Sequence, residues 1–152
     1  MRLKIGETAP LFDLPSTDGK IFSLENQVDE LLVIYFYPKD FTKGCIKEAC
    51  TFRDQWDTFN DLSINIIGIS TDPLEQHFKF RERYHIPFHL LSDEKGDVCK
   101  LYDAWIPFVN IPKRTTFVLE KKLIISGIFS NMFMAKKHVT FSLDKIRKGS
   151  EN

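Results

Sequence analysis

Cys45 is the residue of this chain whose type and position are best suited to chemistry. It follows the apolar run Leu31–Tyr37 and the loop Pro38–Gly44, and an amphipathic helix is predicted to begin there. Unpaired backbone N–H groups and the positive end of the helix dipole meet at a helix N-terminus, and both favour a thiolate over a thiol. The position therefore predicts a reactive sulfur, and a small buried structural cysteine is the alternative that position alone leaves open.

The composition narrows the class of protein. The 152 residues suit a single domain, residues 1–152, with a sizeable core. The 21 basic residues equal the 21 acidic ones and are spread along the chain, so nucleic acid is not expected as a partner. The longest apolar run is too short to span a bilayer, and the first residues lack the apolar centre of a secretory signal. With three cysteines, the sequence predicts a cytoplasmic protein in which a disulfide is transient and catalytic rather than structural.

The elements that must position Cys45 come from the first half of the chain. Alternating apolar residues on either side of the turn Asp18-Gly19 predict an N-terminal hairpin. The run Leu31–Tyr37 is apolar on both faces and predicts a central strand covered by helices. Apolar residues then recur at helical spacing and predict one buried helical stripe that begins at Cys45 and continues through Ala49, Phe52, Trp56 and Phe59.

The second half continues the alternation of strands and helices. Segment 63–70 predicts a second buried strand, Asp72-Pro73 opens a helix to about Tyr84, and Leu90-Leu91 adds a short extended segment. Apolar positions then predict an inserted helix (Val98, Leu101, Tyr102 and Trp105), two strands (114–119 and 123–129) and a last helix (Val139, Phe141, Leu143 and Ile146). The expected fold class is α/β, a central mixed β-sheet flanked by helices, with the N-terminal β-hairpin and the inserted helix added.

This order, with a cysteine at the start of the first helix, resembles the thioredoxin-like architecture. A disulfide oxidoreductase would carry Cys-x-x-Cys at that turn, whereas this chain has Thr42-Lys43-Gly44-Cys45. The pattern Pro-x-x-x-Thr-x-x-Cys of the peroxiredoxins is present as Pro38, Thr42 and Cys45. The longer stretch 37–54 resembles the bacterioferritin-comigratory-protein (BCP/PrxQ) subfamily, and the similarity runs from about Ile5 to Ile146.

The resemblance implies a role for each of these residues. Cys45 would be the nucleophile that attacks a hydroperoxide, Thr42 a hydroxyl that orients the peroxide, and Pro38 an apolar wall that keeps water from the sulfur. Arg114 matches the family's arginine, whose permanent charge would hold the thiolate ionised. Glu48 would orient that arginine. If the resemblance is set aside, the sequence predicts that Thr42 is a helix N-cap, Arg114 a solvated strand end and Glu48 a charged surface residue.

After attack Cys45 would be a sulfenic acid, and the resemblance makes Cys50 the thiol that condenses with it. Residues five apart in an unbroken helix lie roughly 8.7 Å apart between Cα atoms, whereas a disulfide tolerates at most about 7 Å. A Cys45–Cys50 disulfide therefore requires at least one helical turn to unwind. Cys99 has no motif around it and is expected to be structural, although some relatives place the resolving thiol elsewhere in the chain.

The expected activity is that of a thioredoxin-dependent peroxidase that reduces hydrogen peroxide and organic hydroperoxides, needs no bound cofactor and acts as a monomer. The four histidines lack metal-ligand spacing, so no metal is expected. A disulfide reductase, and a thioredoxin-fold protein that binds or senses without turnover, are the alternatives. The loop 106–112 looks shorter than the corresponding loop of most relatives, so the resemblance does not predict the shape of the substrate pocket.

Overall fold

A five-stranded mixed sheet carries the fold, and the computed structural model describes residues 2–150. The strands in chain order are β1 (Asp13–Pro15), β2 (Ile21–Ser23), β3 (Leu31–Phe36), β4 (Ile64–Ser70), β5 (His89–Ser92), β6 (Trp105–Ile106), β7 (Ile111–Pro112), β8 (Thr115–Glu120) and β9 (Ile124–Ser130). The helices are α1 (Lys43–Asp54), α2 (Trp56–Asp61), α3 (Leu74–Tyr84), α4 (Asp97–Leu101) and α5 (Ala135–Ser150). Short 3-10 turns lie at Leu24–Gln27 and Lys121–Leu123.

The strand order in the main sheet is β5-β4-β3-β8-β9. Strands β3, β4 and β5 run parallel, whereas β8 pairs antiparallel with both β3 and β9. The register of β3 and β8 places Phe36 opposite Thr115. The end of β3 therefore lies beside the start of β8, and the two chain segments there come from distant parts of the sequence.

Strand β3 is buried on both faces, as its unbroken apolar run predicts. Leu32, Ile34 and Phe36 pack into the core on the side of the N-terminal hairpin and α4. Val33 and Tyr35 point the other way, into a second core formed with the helices that contribute Cys45, Phe59, Phe80 and Val139. The predicted mixed sheet between two apolar layers, with the β1–β2 hairpin at the N-terminus, is thus confirmed.

The helix predicted to run through Phe59 is divided in two. Gln55, at φ −100° and ψ 7°, ends α1, and α2 starts at Trp56. The Gln55 N–H is shared between the carbonyls of Thr51 and Phe52, which tightens the last turn to 3-10 geometry. Cys45, Ala49 and Phe52 still form a buried stripe on α1, so the break does not change which face of α1 meets the sheet.

The inserted helix is shorter than predicted and does not contain Trp105. Helix α4 ends at Leu101, and Asp103 adopts a left-handed backbone with φ 57°, which turns the chain away from the helix axis. Trp105 lies instead on β6, which pairs with β7 in a hairpin that the sequence analysis expected to be a loop. Within residues 2–150, no helix has the length and apolar character needed to cross a bilayer.

Candidate active site

Cys45 lies in the first turn of α1, where the sequence placed it. Helix α1 begins at Lys43 with Thr42 at the N-cap, so Cys45 is the third helical residue. Its side chain faces the sheet and is only 1% exposed. The apolar spacing of α1 produces this orientation, because Cys45 is the first residue of the buried stripe.

Arg114 brings a permanent charge to this sulfur. It immediately precedes β8, and its Nη2 donates to Cys45 Sγ at 3.3 Å. Its Nε donates to the carbonyl of Met132 at 3.1 Å, which fixes the guanidinium plane. Gly44 lets the two groups approach, since a Cβ at that position would lie 2.9 Å from Arg114 Nη2. The alternative that Arg114 is a solvated strand end is wrong, because the residue is 3% exposed.

Glu48 lies one turn further along α1 and also contacts Arg114. Its Oε1 accepts from Arg114 Nη1 at 2.6 Å, and the side chain is fully buried, so the surface-charge alternative is wrong as well. Its Oε2 has no hydrogen-bond partner among the described residues. Burial raises the pKa of Glu48 to about 8, even though the charge of Arg114 and its hydrogen bond act in the opposite direction. The carboxyl group is therefore poised to hold a proton near neutral pH.

The thiol of Cys45 is subject to opposing effects. Burial raises its pKa, and the charge of Arg114 lowers it, as do the Thr42 hydroxyl and the Lys39 backbone. The net direction is upward. The helix terminus and the arginine are visible in the sequence, whereas the desolvation of the sulfur depends on the fold. When Glu48 is protonated, it does not compete with the Cys45 thiolate for the positive charge of Arg114. The guanidinium then stabilises one neighbouring anion instead of two.

Thr42 and Pro38 lie in the segment between β3 and α1 that leads to Cys45. Thr42 is exposed at the N-cap, and its hydroxyl donates to the carbonyl of Lys39 at 2.6 Å rather than capping the helix. Pro38 is half-buried at the start of the loop. The structure thus joins Cys45 and Glu48 through Arg114, with Thr42 at the N-cap of the same helix and Pro38 in the loop that precedes it.

The sequence analysis missed His138 as a neighbour of these residues. His138 is buried on α5, and its Nδ1 lies 3.7 Å from Glu48 Oε2. Its Nε2 donates to the carbonyl of Asn131 at 2.8 Å, so its Nδ1 accepts from the Thr116 hydroxyl, also at 2.8 Å. Burial lowers the pKa of His138 to about 4, and the charge of Arg114 adds to this. The contacts of His138 depend on how α5 packs on the sheet, which the neighbouring residues in the sequence do not indicate.

The three cysteines are free thiols in three different settings. Cys50 is half-buried on α1, which is continuous between Cys45 and Cys50. Burial raises the pKa of Cys50. Cys99 is fully buried in the other core, and burial, followed by the nearby charge of Asp93, raises its pKa strongly. Cys50 is thus more exposed than Cys99.

Comparisons with known proteins show the family to which this chain is similar. The model of the AhpC/TSA family matches residues 5–128. Peroxiredoxin bcp of Coxiella burnetii is 37% identical over 135 residues, which cover 85% of this chain and 89% of that protein. The chloroplastic peroxiredoxin Q of Arabidopsis thaliana is 40% identical over 141 residues, or 91% of this chain. This chain spans 64% of the length of that plant protein.

Solved structures give the same result. Peroxidoxin BcpB from Mycobacterium tuberculosis superposes with a TM-score of 0.90 at 33% identity, over 97% of this chain and 98% of that chain. PrxQ from Xylella fastidiosa has the same fold, with a TM-score of 0.87 at 24% identity over 99% of both chains. The predicted thioredoxin-like fold and the predicted resemblance are both confirmed. The chain belongs to the AhpC/TSA family and, within it, to the BCP/PrxQ group of peroxiredoxins, which are peroxidase enzymes.

Proposed function

We propose that this chain reduces hydrogen peroxide and organic hydroperoxides at Cys45, as part of antioxidant defence and cell redox homeostasis. The observation that carries the proposal is the Arg114 Nη2 donor 3.3 Å from Cys45 Sγ, with both residues buried. A thiolate beside a fixed guanidinium is a nucleophile whose negative charge is stabilised by the neighbouring positive charge. The same N–H donor stabilises the negative charge that develops on the departing peroxide oxygen.

In the first step the Cys45 thiolate attacks one oxygen of the hydroperoxide. The S–O bond forms as the O–O bond breaks, Cys45 is oxidised to a sulfenic acid, and the departing hydroxide or alkoxide takes a proton to leave as water or alcohol. Thr42 supplies the hydroxyl that orients the peroxide, and Pro38 screens the sulfur. Glu48 holds Arg114 through the 2.6 Å bond to Nη1 and thereby keeps Nη2 directed at the sulfur.

In the second step the Cys50 thiol attacks the sulfenic sulfur, a Cys45–Cys50 disulfide forms and water leaves. Both residues lie on the continuous helix α1, in which positions five apart are roughly 8.7 Å apart between Cα atoms. The first turns of α1 must therefore unwind before the disulfide can form, since it needs a separation below about 7 Å. The enzyme alternates between a folded state that reacts with peroxide and a locally unfolded state that completes the disulfide.

In the third step an external dithiol protein, thioredoxin, reduces the disulfide by thiol–disulfide exchange, and the dithiol is oxidised in turn. This cycle uses protein thiols alone and needs no bound cofactor. We propose a cytoplasmic location, because three free thiols suit a reducing compartment. We propose a monomer as the oligomeric state.

Peroxide consumption coupled to thioredoxin and its reductase tests this function. The wild type is expected to consume hydrogen peroxide, Cys45→Ser to lose all turnover, and Cys99→Ser to retain it. Cys50→Ser is expected to lose the thioredoxin-coupled cycle but to complete one reaction with peroxide. Insulin reduction without peroxide consumption would identify a disulfide reductase instead, and no turnover with thioredoxin present would identify a binding or sensing protein.

A further inference from the structure

Three buried ionisable residues lie beside the loop that leads to Cys45 but take no part in the proposed chemistry. Asp40 is on this loop, Asp72 follows β4 and His77 is on α3. Their side chains are buried, and atoms from all three lie within 4.8 Å of one another. Such a cluster away from solvent has to be held together by protons or a cation.

The hydrogen bonds of His77 define where the protons are. His77 Nε2 lies 2.9 Å from the carbonyl oxygen of Leu91, which can only accept, so Nε2 carries a proton. His77 Nδ1 lies 2.5 Å from Asp40 Oδ2, and Asp40 Oδ1 accepts from the Tyr37 hydroxyl at 2.6 Å. One further proton must therefore sit between Nδ1 and Oδ2, and the pair is neutral as a whole whichever atom holds it.

Asp72 fastens the same loop at its backbone. Asp72 Oδ2 accepts from the Asp40 N–H at 2.9 Å and from the Ser70 hydroxyl at 2.5 Å. Both carboxyl oxygens of Asp40 and this oxygen of Asp72 thus already form hydrogen bonds with protein groups. The cluster is satisfied internally, and it ties the loop to α3 and, through Leu91, to β5.

The next residue in the loop is strained. Phe41 has φ 64°, a left-handed conformation that costs free energy in a non-glycine residue and persists only where neighbours impose it. Its ring packs against α3, with centroids 5.2 Å from Phe80 and 6.2 Å from Tyr84. Two consecutive residues therefore hold the loop on α3, and α1 begins two residues later at Lys43.

We propose that the Asp40–His77 pair is a positioning latch for the active-site helix. It holds the loop so that α1 starts at Lys43 and Cys45 Sγ stays against Arg114, and it sets how readily the first turns of α1 unwind toward Cys50. The second half of this inference rests on the proposed Cys45–Cys50 disulfide, whereas the first half concerns the reduced protein alone. Weakening the latch loosens the folded state, so attack on peroxide slows and disulfide formation accelerates.

Two substitutions of Asp40 separate a hydrogen-bonded latch from simple packing. In Asp40→Asn the amide oxygen still accepts from Tyr37, and the amide N–H can donate to Nδ1 of a neutral His77, so the bridge survives. In Asp40→Ala the bridge is lost. Glu75→Ala is the matched control, because it removes an exposed ion pair with Lys79 from the same helix.

Hydrogen exchange of the reduced protein tests the latch without any turnover. Amides of residues 46–50 are expected to lose about tenfold or more of their protection in Asp40→Ala, the scale of one hydrogen bond to a charged group. The amides in Asp40→Asn and Glu75→Ala are expected to stay within about twofold of wild type. Amides of β3 and β4 serve as the internal reference for global unfolding. If Asp40→Ala does not fold, His77→Gln gives the same test. The Gln amide can reach the Leu91 carbonyl, but Asp40 Oδ2 loses its hydrogen bond to the imidazole.

Stopped-flow kinetics supply the second readout. Asp40→Ala should react more slowly with peroxide and form the disulfide faster, and Asp40→Asn should restore both rates. Unchanged protection of residues 46–50 in Asp40→Ala would overturn the latch, as would equal loss in Asp40→Ala and Asp40→Asn. Absence of a Cys45–Cys50 disulfide in the wild type would overturn the proposed resolving step instead. The hydrogen-exchange test would keep its meaning, because it is made on the reduced protein and does not depend on the disulfide.

Discussion

Arg114 Nη2 lies 3.3 Å from Cys45 Sγ, although the two residues are 69 positions apart in the sequence. The contact exists because β8 runs antiparallel to β3, so that the residue before Thr115 arrives beside the loop after Phe36. Arg114 shares its side of the sheet with Thr116 and Val118, the side on which α1 packs, because strand residues alternate between faces. The register of β3 and β8 thus determines that the positive charge of Arg114 lies beside the sulfur. This charge stabilises a thiolate at a buried site where desolvation alone would disfavour it.

Removal of the guanidinium charge should impair Cys45 directly. In Arg114→Gln we expect the pKa of Cys45 to rise further, because a charge that lowers it is gone, and peroxide reaction at neutral pH to slow roughly 10- to 100-fold, the scale of one charge-assisted hydrogen bond. Titration of Cys45 by its thiolate absorbance at 240 nm, in a Cys50→Ser and Cys99→Ser background, measures the shift. Lys113→Gln, which removes the adjacent cation, should leave both quantities unchanged; equal effects of the two substitutions would contradict the account.

Glu48 should make the protein less stable as the pH rises. Its pKa is about 8 in the folded state against 4.5 for an ordinary glutamate, so the folded state binds more protons between these values. Its stabilising contribution is therefore complete below about pH 4.5 and is lost as the pH rises through about 8. The slope for one such group is at most about 1.4 kcal/mol per pH unit.

Urea unfolding of wild type and Glu48→Gln from pH 5 to pH 8 isolates this contribution, because other titrating groups cancel in the difference. Glu48→Gln should gain stability relative to wild type as the pH increases, since its amide can still accept from Arg114 but does not ionise. A difference that is constant with pH would show that Glu48 keeps its ordinary pKa in the fold.

Cys50→Ser should separate the two oxidation steps. We expect Cys45 to be oxidised by one equivalent of peroxide and to remain a sulfenic acid, because no thiol on α1 is left to condense with it. Dimedone labelling followed by mass spectrometry detects this species. Wild type should instead lose two thiols and give a peptide that contains Cys45 and Cys50 joined; a Cys45–Cys99 peptide would show that the resolving residue was assigned wrongly.

Cys99 should be the least reactive thiol in the native protein. It is fully buried, and burial together with Asp93 raises its pKa strongly. Under native conditions alkylation with iodoacetamide should modify Cys50 well before Cys99, and Cys99 should react only as fast as the protein unfolds. Cys99→Ser should keep wild-type peroxide turnover, since the site lies in the other core.

The local part of the site could be predicted from the sequence, and its surroundings could not. The apolar run before Pro38 and the stripe from Cys45 to Phe52 contain the information for a strand, a loop and a helix start, because each depends on neighbours in the chain. Arg114 was found through a family pattern, not through its spacing. The burial of Glu48, the contact of His138 with Thr116 and the Asp40–His77 pair depend on which helices pack on the same face of the sheet. Desolvation of Cys45 belongs to this second kind, and it reversed the expected direction of the pKa.

The account's central claim is that Cys45 is a peroxide-directed nucleophile supported by Arg114. Single-turnover stopped flow of the reduced Cys50→Ser, Cys99→Ser protein with hydrogen peroxide measures the rate constant of this sulfur alone. We predict a rate at least about a hundredfold above that of free cysteine at the same pH, the scale of preorganised donors at a reacting centre. A rate equal to that of free cysteine would contradict the account.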